Sequence, residues 1–93
     1  MAKQADKSDP WFPVDWPLPD ASAIQALARG DATPEQQVRA LRWIVEPLCG
    51  TYDLSFRPDD RATVFAEGKR FVGLQIVKMT KLNLANYRKK ENQ

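Results

Sequence analysis

Thr33-Pro34-Glu35-Gln36-Gln37-Val38-Arg39-Ala40-Leu41-Arg42-Trp43-Ile44-Val45-Glu46-Pro47-Leu48-Cys49-Gly50 carries a helix start, a helix face and a helix stop in one run. Thr33 is a favoured N-cap, and Pro34 falls at the first helical position, where its missing N–H has no partner to lose. Gln36, three residues after the cap, completes a capping box. Val38, Leu41, Val45 and Leu48 recur at three- and four-residue intervals with Ile44 on the flank, so one stripe is expected to face a core. Trp43 lies on the opposite side. Pro47 is expected to bend or tighten the last turn, and Gly50 to end it.

On the N-terminal side, Asp20 is placed to cap a short helix over 21–28, with Gly30 as its stop. Residues 51–60 read as a loop in which Tyr52, Leu54 and Phe56 alternate, which suggests a short extended stretch over the core and no sheet. A third helix is predicted from Pro58-Asp59-Asp60, whose acidic pair suits a helix N-terminus, to about Lys81. Phe65, Gly68, Val72, Ile76 and Met79 line one of its faces, with Val64, Phe71 and Gln75 beside them; Leu74 and Val77 point the other way. From Phe71 to Met79 this helix is apolar almost all round. A chain this size offers no obvious cover for both sides, which argues for self-association or a tight partner, unless the arm or the loop supplies the cover. Gly68 and Gly73 each cost about 1 kcal/mol relative to alanine inside a helix. Close approach of another helix, or of Trp and Phe side chains, at Gly68 is the favoured compensation, and a local bend the alternative. The expected fold is all-α: an antiparallel helical hairpin packed through Val38/Leu41/Val45/Leu48 and Phe65/Val72/Ile76/Met79, with a short additional N-terminal helix.

Residues 1–19 stand apart as an extended arm, holding Pro10, Pro13, Pro17 and Pro19 with Trp11, Phe12 and Trp16. The prolines keep it extended with little entropy to lose, and the tryptophans are large anchors. It either docks as a peptide on a neighbouring subunit or folds back beside Gly68 and Trp43 in its own chain. Residues 20–82 form the helical domain and 83–93 a basic polar tail.

The inventory closes much of enzyme chemistry. With no histidine and one cysteine, Cys49, a Cys/His zinc site, a His-based triad and an intramolecular disulfide are excluded. Asp53, Asp59 and Asp60 lack the ligand spacing of a calcium loop, and helix capping accounts for the latter two. No metal, cofactor or catalytic residue is expected. Cysteine usage indicates a reducing compartment, and neither an apolar span of about 18 residues nor a signal core is visible, so no membrane partner is expected. A core built from 93 residues is marginal, and an oligomer or a partner is an expected contributor.

Charge is unevenly placed. Seven Lys/Arg against eleven Asp/Glu give residues 1–67 a net −4, whereas residues 68–93 carry +6, within a total of +2. Lys78, Lys81, Arg88, Lys89 and Lys90 are candidate phosphate contacts without sequence reading, although a basic end is more often simply solvated. A helix-turn-helix does not fit, because the connection after Gly50 far exceeds a turn of about three or four residues.

Val64-Phe65-Ala66-Glu67-Gly68-Lys69-Arg70-Phe71-Val72-Gly73-Leu74-Gln75-Ile76 resembles the signature of a family of small tailed-phage proteins named after a product of a Bordetella bacteriophage. In that signature a Glu-Gly-basic-basic block leads into a Val-Gly-Leu helix. The likeness spans roughly 38–79, and Lys69 and Gln75 stand where the pattern has an arginine and a bulky residue. The resemblance implies a product of the head, portal or packaging region with no catalytic activity. The expected function is that of a non-enzymatic phage structural or morphogenesis protein, active in the host cytoplasm or within the virion. It would form a homo-oligomer or dock on a larger phage protein through Trp11, Phe12, Trp16, Trp43, Leu74 and Val77. A nucleic-acid-binding packaging or regulatory factor and a phage inhibitor of a host protein are the alternatives.

Overall fold

The computed structural model describes residues 7–91, with side chains up to Arg88. The described chain is helical without strands, in the order α1 (Leu18–Arg29), α2 (Pro34–Trp43), a π-helical turn (Ile44–Leu48), α3 (Asp60–Thr80) and α4 (Leu84–Glu91).

Local chemistry explains most boundaries. The Thr33 hydroxyl accepts from the Gln36 N–H at 3.1 Å while the Gln36 side chain accepts from the Thr33 N–H at 3.0 Å, which is the predicted capping box. Gly30 (φ 80°) closes α1, its N–H reaching the Leu27 carbonyl at 3.1 Å while the Asp31 N–H returns to Ala26 at 3.0 Å. Asp59 caps α3 by accepting from the Arg61 N–H at 3.1 Å. α1 begins earlier than expected: Pro17 is its N-cap and Pro19 sits in the first turn, where a missing N–H is harmless. Asp20 therefore does not cap. Its carboxylate meets Arg39 of α2 at 3.3 Å instead.

Pro47 does not tighten its turn, as one expectation had it; the turn is wider than an α-helical one. Proline has no N–H to return to the preceding turn, and the Cys49 N–H bonds the Ile44 carbonyl five residues back at 3.0 Å. Gly50 (φ 60°) then reverses the chain. In the next residue the Thr51 hydroxyl, 1% exposed, donates to the Val45 carbonyl at 2.6 Å.

The packing differs from the expected hairpin. α1 lies on α2 through Ala23, Ala26 and Ala40, each at most 2% exposed, while α3 packs on the π-turn and not on α2. Val45 and Cys49 are buried from the π-turn side, and Ala62, Ala66 and Gly73 from the α3 side. The core is thus built from small side chains. Val38, Leu41 and Leu48, expected in the core, are exposed, as are Phe65, Val72 and Met79; Ile76 is half-buried. Tyr52, Leu54 and Phe56 do not lie over the core either, being at least 67% exposed. A radius of gyration of 16.7 Å records the resulting elongation, against about 12 Å for a compact chain of this length.

The segment expected as a polar tail forms α4. Asn83 Oδ1 accepts from the Ala85 N–H at 3.1 Å and the Asn86 N–H at 3.3 Å, an N-cap that the Asn83-Leu84-Ala85 sequence announces.

Candidate interaction surface

The arm folds back on its own chain. The Lys69 ammonium donates to the Pro10 carbonyl at 2.8 Å, and Pro10 is buried. Trp11 stands edge-on to Phe65 with ring centroids 5.7 Å apart and planes at 87°, the favoured T-shaped contact. Further along, the Trp43 indole N–H donates to the Asp15 carbonyl at 3.0 Å. Arg57 holds the start of the arm from below: its guanidinium donates to Leu54 at 2.7 Å, Phe56 at 3.0 Å and Ser8 at 3.4 Å, all to backbone carbonyls. Phe12 is half-buried, whereas Trp16 remains 62% exposed beside Trp43 at an open slot of about 280 Å³.

α3 buries a different side from the one expected, that of Ala62, Ala66 and Gly73. Gly73, not Gly68, is the point of close approach: a Cβ there would overlap the Thr51 hydroxyl and stand 3.0 Å from Cys49 Cβ, whereas a Cβ on Gly68 meets nothing within 4 Å. Only small side chains fit against the π-turn, so the register of α3 is chosen by Ala62, Ala66 and Gly73. Its bulky residues are left outside, with Val64 at 71%, Phe71 at 61% and Met79 at 63% exposure. Leu74 and Val77, expected at the partner interface, are half-buried, as is Ile76. The most open apolar face instead holds Val64, Phe65, Gly68, Phe71, Val72 and Met79, with uncharged Gln75 among them. No charge interrupts this face between Val64 and Met79. Helical spacing had marked most of these residues as one stripe and turned it inward against α2, whereas the structure leaves Phe65, Val72 and Met79 outside.

Lys78, Lys81 and Arg88 are exposed at the C-terminal end of the molecule; the side chains of Lys89 and Lys90 lie outside the described residues. Cys49 is buried behind Gly73. Among the described residues no cluster of carboxylate and thiol groups is arranged to hold a metal ion, and no helix is long and apolar enough to cross a membrane.

No family model matches the chain, no curated protein matches it, and no solved structure matches its fold.

Proposed function

We propose that this chain is a non-enzymatic structural or morphogenesis protein of a tailed phage, associated with the head, portal or packaging machinery, that works by assembling through the open face of α3. The observation that carries this reading is an inside-out arrangement: alanine, glycine, threonine, Cys49 and Val45 fill the core, while Val64, Phe71, Val72 and Met79 face outward. Contiguous apolar surface of this kind on a small soluble chain marks a contact site. The fold leaves that face bare because a bulky side chain would not pass the π-turn. The phage context comes from the resemblance of residues 64–76, and the exposed Trp16 beside Trp43 offers a second anchor for a larger protein.

The experiment is genetic complementation. In a phage lacking this gene, the wild-type chain restores filled particles seen by electron microscopy, whereas Phe71→Asp restores none although the protein accumulates with normal helicity. Normal particle yield with Phe71→Asp, or without the gene altogether, contradicts the assembly role.

Exposed Lys78, Lys81 and Arg88 favour one second reading, contact with nucleic-acid phosphates, in the same or a different role. A strong fall in DNA affinity with added salt supports it, and salt-independent or absent binding removes it.

A further inference from the structure

We infer that the slot between Trp16 and Trp43 receives an arginine side chain of a protein partner, its guanidinium laid against the indole faces and donating to the Asp20 carboxylate. The inference rests on the reading of these two tryptophans as an anchor for a larger protein, and names what the anchor holds.

The walls are preset. The slot of about 280 Å³ is lined by Trp16, Asp20, Ala21, Ile24, Gln25 and Trp43. It is smaller than the roughly 300–1,000 Å³ of pockets that engulf a whole small molecule, and it suits a single inserted side chain. Trp43 spends its one donor on the Asp15 carbonyl at 3.0 Å, so what it has left for a ligand is ring surface. The same bond pins the residue before Trp16, and Pro17 after it holds the chain at the N-cap of α1. Trp16 stays 62% exposed, its ring in contact with no other aromatic ring among the described residues. A large ring held in solvent on a constrained backbone is an anchor whose ordering cost is already met.

Charge selects the occupant. Asp20, its side chain 17% exposed, is the one ionisable residue lining the slot. Arg39 meets its Oδ1 at 3.3 Å, yet Arg39 borders the neighbouring hollow, with Arg42 and Glu46, and not this slot. Among the described residues nothing donates to Asp20 Oδ2. A carboxylate beside two indoles attracts a cation twice, through its charge and through the ring faces. Arginine fits better than lysine, because a flat, weakly hydrated guanidinium stacks on an indole and still donates in its own plane, whereas an ammonium must shed a tighter water shell. The same carboxylate repels phosphate and so disfavours a nucleic-acid strand with its bases between the indoles.

Nuclear magnetic resonance on the full chain tests this, since the indole N–H signals of Trp11, Trp16 and Trp43 can be followed separately. The probe is the peptide acetyl-Gly-Gly-Arg-Gly-Gly-amide. Trp16 and Trp43 are expected to shift and saturate while Trp11 stays still, with the citrulline peptide, equal in shape but uncharged, weaker by about 10-fold or more. Trp16→Ala, at an exposed position, removes the shift at Trp43 with helicity unchanged. Asp20→Asn weakens binding by about 10-fold, whereas Arg39→Gln, which breaks the same ion pair but releases Oδ1 to the ligand, leaves binding equal or tighter. Equal weakening by both variants would mean that Asp20 matters only through Arg39, and overturns the inference. Citrulline or lysine peptides that bind as well as arginine, or a thymidine oligomer that shifts Trp16 and Trp43 where the peptide does not, overturn the guanidinium. No shift at on the order of 10 mM peptide removes the site. The particle phenotype of Phe71→Asp, a residue outside the slot, decides separately whether the assembly reading stands.

Discussion

Gly73→Ala is expected to destabilise the fold by about 2–3 kcal/mol, although alanine is the better helix former by about 1 kcal/mol. The added methyl would occupy the place of the Thr51 hydroxyl and press on Cys49 Cβ at 3.0 Å. Thr51 cannot swing aside cheaply, because it is 1% exposed and its hydroxyl is held on the Val45 carbonyl at 2.6 Å. Moving it strips the buried Thr51 hydroxyl of its acceptor, a loss of about 1–3 kcal/mol although the Thr51 N–H still reaches the Val45 carbonyl at 3.3 Å, and otherwise α3 must back away from the π-turn. Gly68→Ala is the control. With open space around it, that change raises the stability of the dilute monomer by up to about 1 kcal/mol. Urea unfolding followed by circular dichroism measures both, and equal effects at the two glycines would contradict the placement of α3.

Trp11→Ala carries the second large effect, a loss of about 2–3 kcal/mol, somewhat below the range of a fully buried tryptophan because the ring is 44% exposed. The substitution removes the edge-on contact with Phe65 and opens the groove of about 330 Å³ between the arm and α3. It also weakens the burial of Pro10 and so frees the Lys69 ammonium from the Pro10 carbonyl. The arm should then become a substrate for limited proteolysis before residue 18, under conditions where the wild-type chain resists. An arm that stays protected would show that Trp11 is not its anchor.

Local signals in the sequence were reliable wherever the physics is local. The Thr33–Gln36 box, the Gly30 and Gly50 stops, and the limits of α3 all depend on a few neighbouring residues, and each stands where those residues place it. The direction in which α3 faces was not legible, because hydrophobicity ranks Phe65 and Val72 above Ala62 and Ala66 as core residues. The π-turn reverses that order: it comes so close that volume, and not hydrophobicity, selects the buried side. Of the two glycines the sequence favours Gly68, which lies in the centre of the bulky apolar stripe, and only the position of Thr51 identifies Gly73 as the contact point. Pro47 announced a disturbance but not its sense, since a missing N–H permits a tighter or a wider turn. The arm's return to its own chain depends on Lys69, Phe65 and Trp43, residues far along the chain, and no local pattern fixes such a contact. α4 was the legible element passed over: Asn83 is a good cap, but the basic residues after it read equally well as a solvated end.

The bulky face of α3 is outside and its small face inside, and the unfolding free energy of Phe71→Asp beside Ala66→Asp, at concentrations where the chain is monomeric, tests that arrangement. A charge at exposed Phe71 should change stability by no more than about 0.5 kcal/mol, whereas an unpaired charge at buried Ala66 should cost several kcal/mol or prevent folding. If Phe71→Asp unfolds the monomer while Ala66→Asp is tolerated, the face assigned here to a partner is the protein's own core.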